Sequence, residues 1–280
     1  MNTPQGLKPL VLCADDYAQE AGVSHAIVQL ARQGRLSATS AMVLSPRWRQ
    51  DAAPLAELRK RLDVGLHLDW TSPYAQAAGH GLTLARAMRR ALMGGFEQSG
   101  ARTVIERQLD LFEAHWQAAP DHVDGHQHVQ QFAGIREPLV ELLARRYGMK
   151  KPWLRLSRAP LGQRDLKSRV IAWMGANALE SRASCVGLAS ATALSGIYDF
   201  TGDQAAYARR MARWLGASPA GTVLMCHPGT GEADAAAPPD PIADARPREW
   251  THLGSATFAD QLAAADATLV RGSTLYTARP

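Results

Sequence analysis

Segments with strand character alternate along this chain with segments whose apolar residues recur at helical spacing. The strand segments are residues 9–14, 40–44, 63–68, 121–129, 153–156 and 221–226, and most of them are almost continuously apolar. Such strands are buried on both faces, as in a parallel sheet that is covered by helices on both sides. The alternation therefore predicts an α/β fold: a single-domain (β/α) barrel over residues 1–280, TIM-like, with a distorted or incomplete barrel as the variant.

Composition agrees with a soluble globular protein, since 46% of the 280 residues are hydrophobic and 20% are charged. The formal net charge of +5 favours anionic partners, but the basic residues are scattered, so no nucleic acid partner is predicted. The amino-terminal segment does not resemble a signal peptide, and no apolar run approaches the roughly 20 residues of a membrane span. A cytoplasmic protein is expected, and the three cysteines lack the spacing of a metal site.

Polar side chains lie at or just beyond the carboxyl ends of five predicted strands. They are Asp15, Asp16, His67, Asp124, His126, His128, Arg155 and His227. In an α/β barrel these strand ends meet on one rim, where active sites are built. One such residue alone would indicate only a turn, whereas acids, histidines and an arginine at five strand ends indicate a common site.

The densest part of this set is Asp121-His122-Val123-Asp124-Gly125-His126-Gln127-His128. Because side chains alternate in an extended segment, His126 and His128 are predicted on one side, with Asp124 placed to orient an imidazole. His122 shares this parity but lies deeper in the strand, where a core role is favoured. Asp121 is interpreted as structural.

Two imidazoles and one carboxylate, with coordination positions left open, are the usual site of a catalytic divalent ion. The predicted ligands are Asp16, His67 and one histidine of the pair described above. A regular strand would direct Asp15 and Asp16 to opposite sides, but a bend at the strand end would bring both to the site. One carboxylate would then bind the ion, and the other would remain free as a general base. His227, on a sharp turn before a proline, is the candidate general acid.

The order of these motifs resembles the YdjC-like carbohydrate deacetylase family, which includes chitooligosaccharide deacetylases. The resemblance extends from residue 10 to about residue 230 and is carried by Ala14-Asp15-Asp16-Tyr17, residues 36–43, residues 64–68, residues 121–129, Leu154-Arg155 and His227-Pro228-Gly229. It implies a barrel-like α/β fold with a divalent ion held by Asp16, His67 and His126. It also implies that Asp15 is the general base and His227 the acid.

Four further residues are expected to support the ligands or contact the substrate: Tyr17, Asp124, His128 and Arg155. Tyr17 stands where the family usually has phenylalanine, which predicts an additional hydroxyl near the substrate. The segment 157–202 matches neither a clear pattern nor the family resemblance, so no role is predicted for it. Residues 69–100 are interpreted as an excursion over the site, and residues 231–248 as a flexible loop.

The implied reaction is the metal-dependent hydrolysis of the N-acetyl group of an amino sugar, with release of acetate. Mixed nitrogen and oxygen ligation suits Zn, Co, Ni or Mn, and the resemblance adds Mg, so one divalent ion is expected, with Zn and Mg as first choices. The sugar is either an oligosaccharide or a polyprenyl-phosphate-linked N-acetylhexosamine destined for lipid A or envelope modification.

Aromatic residues are available to stack on a sugar or to meet a lipid surface, although core packing is their ordinary role. They are Trp70, Tyr74, Trp153 and Trp173. A contact with an anionic membrane surface, on its inner face, and a homodimer are left open. Two rival functions are also kept: a metal-dependent phosphoesterase on a similar barrel, and a non-catalytic carbohydrate-binding protein.

Overall fold

The structure is a computed structural model that describes residues 6–232, 234 and 237–276. Within them the strands are β1 (Lys8–Tyr17), β2 (Ala38–Ala41), β3 (Asp63–Leu68), β4 (His122–Gly125), β5 (Trp153–Leu154), β6 (Ala193–Ser195), β7 (Thr222–Cys226) and β8 (Ala267–Leu269). All of the strand pairs are parallel. This arrangement confirms the parallel sheet that the apolar strand segments predicted.

Helices connect successive strands and pack against one another and against the sheet. They are α1 (Ala21–Arg32), α2 (Trp48–Ala56), α3 (Pro73–Ala77), α4 (Leu84–Leu92), α5 (Gln98–Trp116), α6 (Arg136–Tyr147), α7 (Leu166–Trp173), α8 (Ala176–Cys185), α9 (Gln204–Ala217), α10 (Arg246–Gly254), α11 (Ala256–Ala264) and α12 (Gly272–Leu275). No helix of the described ranges is long and apolar enough to cross a membrane.

Seven strands form a curled sheet in the order β5-β4-β3-β2-β1-β7-β6, and β8 pairs with the beginning of β1. The two ends of the sheet approach each other, because Leu154 of β5 forms a bridge with Ser190, shortly before β6. Leu154 also accepts a backbone hydrogen bond of 2.9 Å from Ala191. The fold is thus an α/β barrel that regular strand pairing does not complete, which confirms the predicted barrel in its incomplete form.

Burial follows from the apolar segments. Residues 10–17 of β1 are all buried, and α5 places Ile105, Leu109, Phe112 and Trp116 in the core. Gly65 of β3 has a particular role, because the ring of His122 lies directly against it. A Cβ at position 65 would come within 2.4 Å of that ring. The close approach of β3 and β4 therefore depends on this glycine.

Three segments differ from the sequence-based expectation. Residues 121–129 are extended only as far as Gly125, after which residues 126–131 form a 3₁₀ turn. The segment 157–202 contains α7, α8 and β6, and the predicted loop 231–248 ends in the first turn of α10. Residues 233, 235 and 236 of that loop lie outside the described residues.

Candidate active site

A local irregularity of β1 brings two adjacent acids to the carboxyl-end rim of the barrel. Ala14 pairs with Thr39 and Tyr17 with Ala41, so β1 has one residue more than β2 over this interval. Asp16 adopts a left-handed backbone conformation, with φ of 67°. Such a bulge redirects side chains that a regular strand would alternate. The bend that the sequence required for Asp15 and Asp16 to reach one site is therefore present.

Asp16, His67 and His126 form a group whose ligand atoms all lie within 4.8 Å of one another. Asp16 Oδ1 lies 3.5 Å from His67 Nε2 and 3.1 Å from His126 Nδ1. Ligand atoms held about 2.1 Å from a tetrahedral ion are separated by about 3.4 Å, so these spacings fit a bound divalent ion. They are the three residues predicted as ligands from the sequence and the family resemblance.

Asp124 binds the Nδ1 side of the His67 imidazole. The two residues are register partners on β4 and β3, and Asp124 Oδ1 lies 2.7 Å from His67 Nδ1. Ser40 donates a hydrogen bond of 2.5 Å to the other oxygen of Asp124. Burial opposes ionisation of Asp124, but Arg155 and His67 hold its pKa below the usual range. His67 therefore donates from Nδ1 to the carboxylate, and Nε2 is the ring nitrogen that faces Asp16.

Arg155 fixes the second acid of β1. Its Nη1 donates to Asp15 Oδ1 at 2.6 Å and its Nη2 donates to Asp15 Oδ2 at 2.8 Å. Nη1 also lies 2.9 Å from Asp124 Oδ2. Arg155 is 0% exposed and contacts Asp15 and Asp124, so its position fits the support of these acids, and a substrate contact stays a prediction.

His227 follows β7 and lies on the same rim. Its Nε2 lies 3.9 Å from Asp15 Oδ2, a distance close to the 4.0 Å that separates the same oxygen from His67 Nε2. Its backbone N–H donates to the buried Glu249, and its ring meets the edge of Phe200 at a centroid distance of 5.1 Å. Asp15, the predicted base, therefore has the imidazole nitrogen of His227 nearby, in addition to the group formed by Asp16, His67 and His126.

His126 and His128 do not share one side of a strand, and this prediction was wrong. Gln127 and His128 adopt left-handed conformations, with φ of 53° and 65°, inside the 3₁₀ turn. His126 reaches Asp16, whereas His128 Nδ1 lies 2.9 Å from Ser157 Oγ. Desolvation and the nearby Arg155 lower the pKa of His128 to about 3, so its imidazole is neutral.

Tyr17 does not place a hydroxyl near a substrate. Its side chain is 0% exposed and its hydroxyl donates a hydrogen bond of 2.6 Å to the carbonyl of Asp51. The ring meets Trp48 edge-on in the core. The extra hydroxyl therefore has a structural role, and the expected substrate contact is corrected.

His122 lies in the core, as its depth in the strand indicated. It is 0% exposed and its ring stacks on Trp153 at a centroid distance of 4.4 Å. Trp70 and Trp153 are each 2% exposed and are thus core residues, whereas Trp173 is 71% exposed. Of the three tryptophans named for contact with a sugar or a lipid, only Trp173 remains available.

Arg246 is a site residue that the sequence did not indicate. It is 4% exposed, and its Nη2 donates a hydrogen bond of 2.8 Å to Asp16 Oδ2, the oxygen that faces away from His126 Nδ1. Burial opposes ionisation of Asp16, but Arg246 and the two imidazoles hold its pKa well below the usual range. Arg246 lies in the segment predicted as a flexible loop, between Pro241 and Pro247. No pattern in the sequence indicated that its side chain would reach Asp16.

The electrostatics of the group favour a cation. Burial lowers the pKa of His67, but the carboxylates of Asp124 and Asp15 outweigh burial and raise that pKa to about 10. Without an ion, a proton on His67 supplies the positive charge that the acids require. A divalent ion would supply that charge instead, and the donors are one carboxylate oxygen and two imidazole nitrogens.

The chain matches the family described as YdjC-like protein over residues 9–264. A chitooligosaccharide deacetylase of Serratia marcescens is 28% identical over 227 residues, which are 79% of this chain and 81% of that protein. A chitooligosaccharide deacetylase of Yersinia pestis (strain Pestoides F) is 30% identical over 165 residues, which are 57% of this chain and 63% of that protein.

Solved structures share the fold at low sequence identity. A protein of Enterococcus faecalis V583, named as a candidate cellobiose-phosphate cleavage protein, superposes with a TM-score of 0.69 at 16% identity, covering 97% of this chain and all of that one (100%). An uncharacterized protein from Agrobacterium tumefaciens C58 has a TM-score of 0.54 at 10% identity, covering 98% of this chain and 92% of that one. Because the family match includes nearly all of the strands and the whole candidate site, the chain belongs to the YdjC-like family.

Proposed function

We propose that this protein is a metal-dependent carbohydrate N-deacetylase, which hydrolyses the acetyl amide of an N-acetylated amino sugar and releases acetate. The observation that carries the proposal is the ligand group of Asp16, His67 and His126, with Asp15 next to it and His227 close to Asp15. The names of the relatives in Serratia and Yersinia support the same activity.

Asp16, His67 and His126 would hold the ion. The two imidazole nitrogens favour Zn, Co, Ni or Mn over Mg, which prefers oxygen ligands. When bound, a divalent ion would polarise the amide carbonyl and lower the pKa of a water molecule, and both effects are needed because an amide is a poor electrophile.

Asp15 is the proposed general base. Arg155 occupies one lone pair on each of its carboxylate oxygens, which leaves each oxygen a further lone pair to accept a proton from the attacking water. The bidentate contact also prevents rotation of the carboxylate, so the base keeps one orientation through the reaction. Asp15 is 3% exposed, and its contact with a small water molecule is compatible with that burial.

His227 is the proposed general acid. Cleavage of the amide expels an amine, which must gain a proton as the carbon–nitrogen bond breaks. The proton that Asp15 removes from water and the proton that His227 gives to the amine balance one another, so the products are acetate and the amino sugar. The 9% exposure of His227 leaves it within reach of a substrate at the rim.

One ion, rather than two, is proposed, and this distinguishes the deacetylase from the phosphoesterase alternative. Asp15, His67 and Asp124 form a second group with metal-ligand spacing, but it shares His67 with the first group. The guanidinium of Arg155 already forms ion pairs with both Asp15 and Asp124. A second cation would have to compete with this buried guanidinium, whereas two-metal phosphoesterases need both cations.

For the sugar, we propose one primary substrate class and one more specific alternative. An N-acetylated oligosaccharide is the primary substrate class, which the names of the relatives support. A lipid-linked N-acetylhexosamine carrying a polyprenyl phosphate, used in lipid A or envelope modification, is the finer alternative. The net charge of +5 favours a substrate that bears a phosphate.

The test is acetate release by the purified full chain, loaded in turn with Zn, Co, Ni, Mn and Mg. The substrates are N-acetylglucosamine oligomers, a lipid-linked N-acetylhexosamine and a panel of phosphate esters. We expect release of acetate, loss of activity with a chelator, and loss of both bound metal and activity in His126→Ala. Asp15→Asn should retain the metal and lose the activity.

A different result would overturn the proposal. Turnover of phosphate esters without any release of acetate would favour the phosphoesterase. Saturable binding of N-acetylglucosamine oligomers by the metal-loaded protein, without turnover of any substrate, would favour the non-catalytic carbohydrate-binding alternative. If Asp15→Asn also loses the metal, the assignment of base and ligand is wrong.

A further inference from the structure

An unusual surface lies in the segment 157–202, in which the sequence pointed only to Trp173. Four large apolar side chains are exposed within 13 positions: Leu161 at 81%, Leu166 at 77%, Val170 at 40% and Trp173 at 71%. Leu166, Val170 and Trp173 are spaced by four and three residues on α7, so they share one face of that helix. Contiguous exposed apolar side chains on a soluble protein mark an interaction surface.

This apolar face, which we call the α7 face, is surrounded by positive charge. Arg164, Lys167 and Arg169 are exposed, and Asp165 is the one acid between positions 157 and 179. Asp165 is engaged as the helix cap, where it accepts a hydrogen bond of 2.7 Å from the backbone of Ser168. The partner of the α7 face must therefore accept both apolar and cationic side chains.

A second helix, α4, has the same apolar and basic character. Helix α4 exposes Leu92 at 55% and, at its end, Met93 at 78%, together with Arg86, Arg89 and Arg90. No acid occurs between positions 70 and 96. The chemistry of the α7 face is thus repeated on an independent element.

Hydrogen bonds connect α7, and the segment after α4, to residues 131–133. Gln131 donates a hydrogen bond of 2.5 Å to the carbonyl of Ile171 in α7. Phe96, which follows α4, donates a backbone hydrogen bond of 3.3 Å to Ala133. Residues 126–131 carry His126 and His128, so α7 bonds directly to the segment that completes the ligand group.

We infer that the α7 face, together with α4, docks on the surface of an anionic phospholipid bilayer. Amphipathic helices that bind at the interface of a bilayer combine Trp and Leu on one face with Lys and Arg beside them. Each basic residue near an anionic surface strengthens binding by about fivefold. The combination of an exposed Trp173 with flanking arginines meets both requirements.

A second copy of the chain is a poorer partner for this face. In a symmetric dimer the same patch occurs on both subunits, so the basic residues of one copy would lie in the same interface as those of the other. Like charges brought together at the edge of an apolar contact oppose association. An anionic bilayer has the complementary charge and needs no partner acid from this chain.

The inference does not rest on the proposed deacetylase activity, because binding to vesicles is measured without substrate. The full chain is centrifuged with vesicles of phosphatidylcholine alone and with vesicles that also contain phosphatidylglycerol, at low and high salt. We expect binding to the anionic vesicles that weakens as salt increases. Trp173→Ala and Leu166→Ala should weaken that binding about tenfold, since each removes a large apolar side chain from the contact. Arg169→Glu should weaken it about fivefold or more.

Matched variants test whether the effect belongs to this face. Met149→Ala removes a fully exposed apolar side chain elsewhere (103%), and Arg209→Glu reverses an exposed charge on α9. Both should bind anionic vesicles as the unmodified chain does. The absence of vesicle binding in the unmodified chain would overturn the inference. So would equal losses in the matched variants, or a Trp173→Ala change that converts a dimer into a monomer while vesicle binding stays the same.

Discussion

Arg155 and Asp15 form a buried bidentate pair, with N–O distances of 2.6 and 2.8 Å and side-chain exposures of 0% and 4%. The two residues are 140 positions apart in the chain: Arg155 directly follows β5, and Asp15 lies near the carboxyl end of β1. A free carboxylate beside a metal site would turn toward the ion and become another ligand. The bidentate guanidinium opposes that rotation, and so it would keep the proposed base apart from the candidate ligands.

Replacement of Arg155 by lysine should therefore lower kcat more than it lowers metal affinity. Lysine keeps one positive charge but cannot form two parallel hydrogen bonds, so Asp15 becomes free to shift. We expect kcat to fall about 100-fold, which is typical of a misplacement of about 1 Å in a catalytic group. The zinc Kd, measured by competition with a chelating dye, should change only a few fold.

Arg158→Lys is the matched control for this variant. Arg158 lies three residues further along, forms its pair with Glu180 at 2.7 Å, and is partly exposed, with a side-chain exposure of 25%. Its replacement should leave kcat and zinc affinity unchanged. A loss of zinc from Arg155→Lys that equals the loss of rate would contradict the separation of base and ligands.

Asp124 is expected to act through His67. Asp124→Asn removes the charge that holds a hydrogen on His67 Nδ1, and an amide can rotate to present its NH₂ group instead of its oxygen. Loss of the group that hydrogen-bonds a metal-binding histidine typically weakens metal binding about 10- to 100-fold, so the zinc Kd should rise by that factor. Asp121→Asn, on the same segment but bonded to the backbone of Val64, should leave zinc affinity unchanged. Equal effects of the two variants would show that the role of Asp124 is only structural.

The metal-free protein should lose stability as the pH rises. The folded-state pKa of His67 is raised to about 10, above its value of about 6.5 in an unfolded chain. The folded state therefore holds an additional proton between these two values. The stabilisation is complete below pH 6.5 and is lost as the pH rises through about 10, with a slope of at most about 1.4 kcal/mol per pH unit.

Urea unfolding in the presence of a chelator, at a series of pH values between 7 and about 9, measures this slope. His67→Gln removes the titrating imidazole and should abolish the part of the slope that it contributes. Burial also raises the pKa of the Cys13 thiol in the folded state, but Cys13 remains in both proteins, so its contribution to the slope cancels in the comparison. Identical slopes for the two proteins would contradict the assignment.

Much of this site was predictable because parallel strands bring their carboxyl ends to one rim. Once residues 63–68 and 121–125 are strands, His67 and Asp124 have to emerge on neighbouring strands, and their register makes them direct partners. The same reasoning required a bend at Asp15 and Asp16, which is the bulge in β1. These features depend on local patterns and on one general rule of barrels.

The position of His128 was not predictable in this way. Alternation with a period of two holds only while the backbone is extended, and Gln127 and His128 are left-handed instead. Left-handed conformations are uncommon for residues other than glycine and must be stabilised by contacts elsewhere. Here the contacts include the bond of His128 to Ser157 and that of Gln130 to the carbonyl of Arg155, and both involve the distant segment after β5.

Arg246 was missed for a related reason. Its segment contains several prolines, which predict a loop. Nothing in the composition of the segment indicates that the guanidinium binds Asp16, which lies 230 residues earlier in the chain. A buried arginine is identified by its partners rather than by its neighbours in sequence. Local patterns therefore indicated the candidate ligands and the proposed base, but not the guanidinium that binds the other oxygen of Asp16.

Tyr17→Phe tests the structural role of the Tyr17 hydroxyl. The variant removes the buried hydrogen bond to the carbonyl of Asp51, so the free energy of unfolding should fall by about 1 kcal/mol. Because the hydroxyl lies in the core, kcat/KM on an N-acetylated oligosaccharide should stay within about twofold, which corresponds to less than about 0.5 kcal/mol. A large fall in kcat/KM without loss of stability would indicate that the hydroxyl of Tyr17 contacts the substrate.

The role of His227 can be separated from that of Asp15 by the choice of leaving group. An amine needs a proton to depart, whereas 4-nitrophenolate does not. His227→Gln should therefore lower kcat on an N-acetylated oligosaccharide by about 10²- to 10⁴-fold, the usual contribution of a general acid. The same variant should lose far less activity on 4-nitrophenyl acetate, whose hydrolysis still requires the base. Asp15→Asn should lose rate on both substrates, because the attack of water precedes the departure of either group. If His227→Gln loses the same factor on the ester as on the amide, then His227 does not act as the acid, and its proximity to Asp15 has a different purpose.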